Sequence, residues 1–362
     1  MDYKVKDNIL NSVYSDVLEI AQADFIEWEK LKNSTVLITG ANGFIGSYLV
    51  FALLLRNDLY NDNISVYALV RNRASAEKKF DSLLLRENLT LIVQDVSSPI
   101  EAERADYIIH AASQASNIQF ENDPVGTISA NLTGTSSVLD FALKSKAKST
   151  LVISSLKVYG KVYGSKGYLT EADEGYLDFT SYKNCYAMGK RASETLAASY
   201  IKEYGLNVKL CRPAYIYGAS SLTDDRVWAQ FIANVVKKEN ILLKSNGAAN
   251  RSFCYVTDTA SAMLCVLLSG ENGFPYNIAY EKSNTTIRGF AKTACEAFPE
   301  RNIMLSFQNS EDEAEPQILK TPLSTEPEIL DSARLKALGW KPVVTLKEGI
   351  KRAVNVLEEQ NR

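Results

Sequence analysis

This chain of 362 residues contains a single histidine, His110. A metal site built from several histidines is therefore excluded, and a Ser–His nucleophilic triad would have to use that one side chain. The five cysteines are odd in number and no two of them form a C-x-x-C pair, so neither a disulfide framework nor a zinc site is indicated. We predict that no metal is bound.

Strong charge of one sign and long apolar runs are also missing. The 40 basic residues stand against 43 acidic residues, a net charge of -3 that provides no basic field for nucleic acid. The longest run of apolar and aromatic residues, at 48–55, is too short to cross a bilayer. The first seven residues lack the basic start and apolar stretch of a secretion signal. We therefore expect a cytoplasmic protein with no nucleic-acid or membrane partner.

Short β-rich segments alternate with stretches of helical periodicity from Thr35 onward. This order predicts an α/β fold with a Rossmann-type doubly wound parallel sheet, because parallel strands need crossover helices between them. Strands are predicted at residues 35–39, 65–70, 90–94, 107–110, 150–154 and 208–211. The clearest helices are predicted at residues 44–56, 125–143 and 187–204.

The chain divides into three regions with no Gly/Ser linker between them. Residues 1–34 are predicted to form an N-terminal helical extension, because apolar residues recur at helical spacing between 9 and 31. Packing of this stripe on its own domain is favoured over docking to a partner. Residues 35–212 carry the alternating pattern, and residues 213–362 indicate a smaller mixed α/β region that ends in a helix. We expect the last two regions to form one compact unit with a cleft between them.

Three glycines at three-residue spacing, Gly40, Gly43 and Gly46, stand between the first predicted strand and its helix. Gly40 allows a tight turn, Gly43 lets the backbone approach a pyrophosphate, and Gly46 lets helix and strand pack closely. The helix begins at Phe44 and Ile45, so its amide donors and dipole face the phosphates. The alternative is a glycine turn without a ligand, but the strand–turn–helix context favours a dinucleotide site.

The end of the second predicted strand bears on which dinucleotide is bound. NAD-binding versions of this fold usually carry Asp or Glu there to hold the ribose 2′-hydroxyl. This chain has Arg71 and Arg73 in that segment and no acid. A guanidinium can bind a 2′-phosphate bidentately, so NADP is favoured over NAD. The alternative is that both arginines are solvated surface residues.

Tyr186 and Lys190 stand four residues apart in a helical stretch and project from one face. A phenol has a reference pKa near ~10, but an ammonium one turn away lowers that pKa and can also hold the nicotinamide ribose. Tyr186 could then take a proton from a substrate hydroxyl. Ser154 and Ser155 end a predicted strand and could bind the same substrate oxygen. A Tyr–Lys pair at this spacing is common by chance, and it indicates a catalytic group here because the glycine loop lies upstream.

Together these motifs resemble the extended short-chain dehydrogenase/reductase family of nucleotide-sugar epimerases, dehydratases and decarboxylases. The resemblance covers nearly all of residues 35–358. It implies that Ser155, Tyr186 and Lys190 form the catalytic set, and that Lys190 also holds the cofactor. Besides the glycine loop, the matching segments are residues 110–113, 131–135, 154–160, 186–190, 212–218 and 331–342.

The same resemblance assigns further contacts and an assembly. Asp95 and Val96 resemble the pair that touches adenine, and Ala111 and Ala112 lie where family members pass close to the cofactor. Residues 213–362 would bind the second ligand, a nucleotide-diphosphate sugar. The predicted helices at 125–143 and 187–204 correspond to helices that pair across a two-fold axis in relatives, which implies a homodimer.

The downstream half looks most like UDP-glucuronate decarboxylases. Residues 225–231 and 250–258 are similar to the segments that hold the nucleotide diphosphate in those enzymes. The likeness implies that Arg226 and Arg251 pair with the substrate diphosphate, a task suited to a guanidinium. The alternative for each arginine is a surface ion pair. Ser154, Lys157 and Tyr215 would lie against the sugar.

Two departures from the family bear on the reaction. Its 4,6-dehydratases carry Asp-Glu directly after the catalytic Thr or Ser, and its decarboxylases carry Glu at the second following place, whereas this chain has Leu156 and Lys157. Tyr215 stands where many epimerases and decarboxylases hold an Asn. Water loss needs an acid/base pair that these residues do not supply, whereas hydride removal and return needs only the serine, tyrosine and lysine. Epimerisation is therefore favoured, with ketone reduction next.

Other interpretations stay open. The chain could be a dehydratase or decarboxylase with altered acid/base residues, or a non-catalytic dinucleotide-sensing module, although the intact catalytic set speaks against the latter. Lys157 either turns into solvent or faces the sugar. In the second case its cation would favour a substrate with a carboxylate, or would stabilise oxygen charge that develops during hydride transfer.

Overall fold

The computed structural model describes residues 3–114, 116–164, 167–308 and 328–361. The strands in these residues are β1 (Thr35–Thr39), β2 (Ser65–Val70), β3 (Leu89–Val93), β4 (Tyr107–His110), β5 (Ser149–Ile153), β6 (Val208–Pro213), β7 (Tyr215–Tyr217), β8 (Ile241–Leu243), β9 (Asn250–Arg251), β10 (Phe253–Tyr255), β11 (Pro275–Ile278), β12 (Thr285–Thr286) and β13 (Leu305–Phe307). The α-helices are α1 (Val5–Asn8), α2 (Asn11–Ala21), α3 (Phe44–Tyr60), α4 (Arg73–Phe80), α5 (Asn117–Asn122), α6 (Pro124–Ser145), α7 (Cys185–Tyr204), α8 (Val227–Lys237), α9 (Val256–Ser269), α10 (Ile287–Ala297), α11 (Ala333–Ala337) and α12 (Leu346–Gln360).

Seven strands form one sheet in the order β3-β2-β1-β4-β5-β6-β11, and every neighbouring pair is parallel. The strand order reverses between β1 and β4, which pair in parallel up to their last residues, Thr39 and His110. The predicted Rossmann-type doubly wound sheet is thereby confirmed. In such a sheet the ligand crevice lies at this reversal, beyond the carboxyl ends of the strands.

Both faces of the sheet are covered because its strands are apolar on both sides. In β1, Val36 and Ile38 belong to the core that includes α3, whereas Leu37 belongs to a second core with Val138 and Leu139 of α6. Successive side chains of a strand point to opposite faces, so this alternation places one helical layer on each side.

Short strands beyond β6 build the remaining part of the cleft. β7 pairs with β10 and β8 with β13 in parallel, and β9 pairs with β12 in antiparallel fashion. β11 instead returns to the large sheet and pairs with β6. The downstream part of the chain is therefore tied into the main sheet and shares its larger core.

The N-terminal extension packs on the rest of the chain through helix α2. The carboxylate of Asp16 is buried, accepts a hydrogen bond from the Tyr255 hydroxyl at 2.7 Å and pairs with Arg352 at 3.1 Å. The Glu359 carboxylate accepts the backbone N–H groups of Asn11 at 2.9 Å and Ser12 at 3.1 Å, which caps the start of the helix. Within the described residues, no helix is long and apolar enough to cross a membrane.

Candidate functional site

A cleft of about 740 Å³ opens at the carboxyl edge of the sheet, between the ends of its strands and the downstream short strands. The structure brings all of the site residues predicted from the sequence to its walls, while their roles remain predictions. They are Gly40, Gly43, Phe44, Ile45, Gly46, Arg71, Asp95, Val96, Ala111, Ala112, Ser154, Ser155, Lys157, Tyr186, Lys190, Tyr215, Arg226 and Arg251.

The glycine loop leaves no room for side chains. Gly40 has a φ of +65°, and a Cβ there would lie 2.9 Å from the backbone of Ala112. A Cβ on Gly46 would overlap the Gly40 carbonyl. Gly43 is the N-cap of α3, so the first amides of that helix face the cleft. This cradle of bare backbone at a helix N-terminus fits the pyrophosphate of a dinucleotide.

The ribose end of the cleft carries an exposed arginine and an exposed acid. Arg71 extends from the end of β2, and Arg73 is turned toward Glu77 on the same helix, with Arg73 Nη1 3.5 Å from Glu77 Oε1. The Asp95 carboxylate accepts the backbone N–H of Ser97 at 2.8 Å, which fixes the turn after β3. Val96 is buried beside this turn. Arg71 is therefore the arginine of this segment that lines the cleft.

The three predicted catalytic residues meet where the two parts of the cleft join. The Ser155 hydroxyl accepts the backbone N–H of Lys157 at 3.2 Å and also hydrogen-bonds to Tyr186. The Lys190 ammonium donates to the Ile153 carbonyl at 2.7 Å. The neighbouring Ser154 hydroxyl is buried and has no hydrogen-bond partner among the described residues. A buried hydroxyl of this kind, in the wall of the cleft, is suited to bind a ligand that supplies a hydrogen-bonding group.

The pKa values of this group differ from the expectation drawn from the Tyr–Lys spacing. Burial raises the pKa of Tyr186, against the hydrogen bond of Ser155 and the charges of Lys157 and Arg226. Burial also lowers the pKa of Lys190 to about 8, against the charge of Glu194. The predicted lowering of the phenol pKa by Lys190 is therefore not seen here, because desolvation prevails and other cations supply the opposing field.

Phe120 is a site residue that the sequence analysis missed. Its ring stacks on that of Tyr186, with centroids 4.7 Å apart and planes at 22°, and it lines the cleft. Phe120 lies in the short helix α5, where nothing in the local pattern marks it as functional. The contact covers one face of the Tyr186 ring and contributes to its desolvation.

Glu328 is a second residue that the sequence analysis missed. Its carboxylate pairs with Lys157 Nζ at 2.6 Å and with Arg251 Nε at 2.7 Å. It also accepts the Tyr215 hydroxyl at 2.6 Å, and Tyr215 in turn accepts Lys157 Nζ at 3.0 Å. Lys157 thus lines the cleft and is tied to Glu328 and Tyr215, while 43% of its side chain stays exposed. No local pattern could have shown this, because Glu328 lies far along the chain from the residues that it joins.

Arg226 also lines the cleft, where its guanidinium lies 5.5 Å from the ring centroid of Phe44. It pairs with Asp224, with Nε 2.9 Å from Oδ1, and its guanidinium lies 4.6 Å from the ring centroid of Trp228. The next acid, Asp225, accepts the Ser116 hydroxyl and the Ile118 backbone N–H, each at 3.2 Å. These contacts fix Arg226 at the cleft and leave some of its N–H groups for a ligand.

His110 is buried at the end of β4, where its Nδ1 lies 2.9 Å from the Thr39 hydroxyl. Burial lowers its pKa to about 3, and the charge of Lys190 adds to this effect. The ring is therefore neutral and engaged in the sheet. It gives no support to a Ser–His triad.

Known proteins share this fold and these motifs. A sequence profile described as the NAD dependent epimerase/dehydratase family matches residues 36–279. UDP-glucuronic acid decarboxylase 6 of Arabidopsis thaliana is 30% identical over 319 residues, which cover 88% of this chain and 87% of that protein. The UDP-glucose 4-epimerase of Thermotoga maritima, solved with UDP-glucose, aligns with a TM-score of 0.71 and 23% identity over 91% of this chain and 100% of its own.

A further solved structure, the dTDP-glucose 4,6-dehydratase of Streptomyces venezuelae with NAD bound, gives a TM-score of 0.71 at 22% identity. It covers 90% of this chain and 98% of its own. At such identities the solved structures show a common fold, whereas the profile and the plant relative show common descent over most of the chain. The resemblance inferred from the motifs is thus confirmed, and the chain belongs to the NAD dependent epimerase/dehydratase family.

Proposed function

We propose that this chain is an NAD(P)-dependent epimerase that inverts one carbinol carbon of a nucleotide-diphosphate sugar. The observation that carries the proposal is the convergence of Ser155, Tyr186 and Lys190 in a cleft where the next positions, Leu156 and Lys157, offer no acid. Oxidation and re-reduction of a carbinol needs one group that takes and returns the hydroxyl proton. Water loss needs a second acid/base pair as well.

Tyr186 is the proposed proton acceptor and donor for the sugar hydroxyl. The Ser155 hydroxyl, already hydrogen-bonded to Tyr186, would bind the same substrate oxygen. The charges of Lys157 and Arg226 favour the phenolate against the cost of burial. The dinucleotide, when bound at the glycine loop, would supply the hydride acceptor and donor. Lys190 would hold its nicotinamide ribose from a position fixed by the Ile153 carbonyl.

The proposed cofactor preference is NADP. The guanidinium of Arg71 lines the ribose end of the cleft, where an NAD-binding member would carry an acid. A 2′-phosphate would accept two charge-assisted hydrogen bonds from it. Arg73, paired with Glu77, is assigned no part in this contact.

Arg226 and Arg251 are the proposed ligands of the substrate diphosphate. They lie in the same cleft and are each oriented by one carboxylate, Asp224 and Glu328 respectively. A guanidinium has five N–H donors, so one ion pair leaves donors for phosphate oxygens. The unpartnered hydroxyl of Ser154 and the side chain of Tyr215 would contact the sugar.

Decarboxylation is the second candidate, because the Arabidopsis relative is a UDP-glucuronic acid decarboxylase by name. Ketone reduction and 4,6-dehydration need the same proton-transfer group and complete the set of alternatives. Incubation of the purified protein with UDP-, dTDP-, GDP- and CDP-sugars, followed by mass spectrometry and NMR, separates them. Unchanged mass with one inverted stereocentre supports epimerisation, whereas gain of two hydrogens, loss of water or loss of carbon dioxide overturns it. Cofactor binding without conversion of any sugar would indicate the sensing module.

A homodimer through α6 and α7 is also proposed. Val125, Ile128 and Leu132 of α6 are 73%, 38% and 43% exposed. They recur at spacings of three and four, so they form one apolar stripe on the helix surface. An isologous contact between two copies would cover this stripe. Light scattering at working concentration should give twice the chain mass, and a strictly monomeric mass would contradict the proposal.

A further inference from the structure

Glu328 places a carboxylate against three side chains that line the cleft, Lys157, Tyr215 and Arg251. One of its oxygens pairs with Lys157 Nζ at 2.6 Å, and the other accepts the Tyr215 hydroxyl at 2.6 Å and Arg251 Nε at 2.7 Å. An ammonium, a phenol and a guanidinium thus converge on a single carboxylate. Charge-assisted hydrogen bonds of this kind are among the strongest that proteins make.

The backbone holds Glu328 in this position. Its carbonyl accepts the Ser252 N–H at 3.0 Å, and the Ser252 hydroxyl accepts the Leu330 N–H at 3.0 Å. On the other side, the Leu169 N–H donates to the Ile329 carbonyl at 2.7 Å. The segment is therefore fixed from two directions, and the carboxylate has a defined position against the residues that line the cleft.

The cluster is ionised: Glu328 balances Lys157, and the remaining positive charge is that of Arg251, which the proposed function assigns to the diphosphate. Burial alone would raise the pKa of Glu328, but the charge and hydrogen bond of Lys157, the hydroxyl of Tyr215 and the charge of Arg251 together lower it. The pKa of Lys157 is raised despite burial, because Tyr215 and Glu328 stabilise its charged form. Lys157 therefore has no unbalanced charge to offer a substrate carboxylate, because the chain itself already supplies one.

We propose that Glu328 determines specificity by occupying the carboxylate position formed by Lys157, Tyr215 and Arg251, so that the site selects sugars without a carboxylate. This inference rests on the proposed function and names its substrate class. A uronate would have to displace Glu328 from three fixed donors or lie beside it as a like charge, and either is costly in a partly desolvated site. A neutral sugar meets neither cost and can donate hydroxyl hydrogen bonds to the same carboxylate.

The test compares UDP-glucose with UDP-glucuronate, which differ at one carbon by a hydroxymethyl or a carboxylate group. Calorimetry on the cofactor-loaded protein should show tighter binding of UDP-glucose by the wild type. Glu328→Gln keeps the shape and removes the charge. We expect it to raise the affinity for UDP-glucuronate relative to UDP-glucose by about tenfold, because any change in the orientation of Arg251 affects the diphosphate of both ligands alike.

Two further variants identify the cause. Glu296→Gln makes the same chemical change on the exposed face of α10 and should leave both affinities unchanged. In Lys157→Met combined with Glu328→Gln, the gain for UDP-glucuronate should disappear, because the cation that would receive the uronate is gone.

The outcomes separate the two proposals. A wild type that binds UDP-glucuronate as tightly as UDP-glucose would overturn the inference without any variant. So would an unchanged ratio of the two affinities in Glu328→Gln. If UDP- and dTDP-sugars alike fail to bind the cofactor-loaded protein, the proposed function falls and this inference with it.

Discussion

The two ends of the cleft are built in different ways. The dinucleotide end consists largely of backbone: Gly40, Gly43 and Gly46 turn tightly beneath the first amides of α3. The proposed sugar end carries charged side chains, and Lys157 and Arg251 there meet through Glu328 and the ring of Tyr215. A backbone cradle needs a continuous segment, whereas ion pairs can join any segments that the fold brings together. The first end is therefore specified by one continuous segment, whereas the second depends on residues that lie far apart in the sequence.

The largest expected effect lies at the junction of the two ends. Tyr186→Phe removes the proposed proton-transfer hydroxyl and nothing else, so turnover should fall by about 10²–10⁴-fold while cofactor affinity stays the same. Steady-state kinetics and cofactor titration measure the two quantities. Tyr200→Phe is the matched control. Tyr200 lies on the same helix as Tyr186 but away from the cleft, and its hydroxyl donates to Asp140 at 2.6 Å. Near-normal turnover in Tyr186→Phe would remove the tyrosine from the mechanism.

The proposed ribose contact differs from the rest of the dinucleotide end, because it is made by a side chain rather than by the backbone. If Arg71 binds a 2′-phosphate, Arg71→Ala should weaken NADP binding by about 1.5–3 kcal/mol and leave NAD nearly unchanged. Arg73→Ala, two residues away and paired with Glu77, should affect neither. Equal losses for both cofactors, or none, would reject the NADP preference.

Gly46→Ala tests the backbone cradle directly. The new Cβ would overlap the Gly40 carbonyl, so the loop or the start of α3 has to move at a cost of about 1–3 kcal/mol. Fluorescence titration should show weaker binding of NAD and NADP alike, in contrast to Arg71→Ala. Unaltered affinity for both would mean that the dinucleotide does not depend on the close approach of helix and strand.

The smallest effect is expected from Lys157→Met at the sugar end. Lys157 lowers the pKa of Tyr186, so its removal raises that pKa further. Because the phenolate is the active form, activity near neutrality should fall by about tenfold and return as the pH rises. The acidic limb of the kcat/KM profile therefore moves to higher pH, with cofactor affinity intact. An unshifted profile would show that the charge of Lys157 does not affect the pKa of Tyr186.

Lys157→Glu extends the same experiment, because it restores the acid that decarboxylases and dehydratases carry nearby. The product assays should then detect slow loss of carbon dioxide or water if that acid alone decides the reaction. Products that stay those of the wild type would show that more than one residue of the sugar end has changed.

Local sequence predicted the sheet well where strands are continuous and apolar. The predicted bounds of β1, β2 and β4 match the structure to the residue, because each β-rich run is flanked by turn or helix signals. β11 was not predicted: its four residues begin with Pro275 and show no alternation. A proline is tolerated there because β11 is an edge strand, and that is a property of the sheet rather than of the segment.

The same distinction between local patterns and long-range contacts applies to the site residues. The glycine loop and the Tyr–Lys pair are local patterns, and the structure brings their residues into one cleft. Glu328 could not be foreseen, since its meaning depends on two cations that lie far away in the chain. The pKa of Tyr186 could not be foreseen either. Spacing along a helix shows that Lys190 is near, but only packing shows how much water the phenol has lost.

The contacts of helix α2 constrain the order in which the chain can complete its fold during synthesis. Asp16 and Asn11 of that helix precede their partners Arg352 and Glu359 by 336 and 348 residues in the sequence. Since chains grow from the N-terminus, α2 cannot form these two contacts until helix α12 has left the ribosome. They are therefore made late, after the sheet and the cleft residues that lie between them in the sequence have been synthesised.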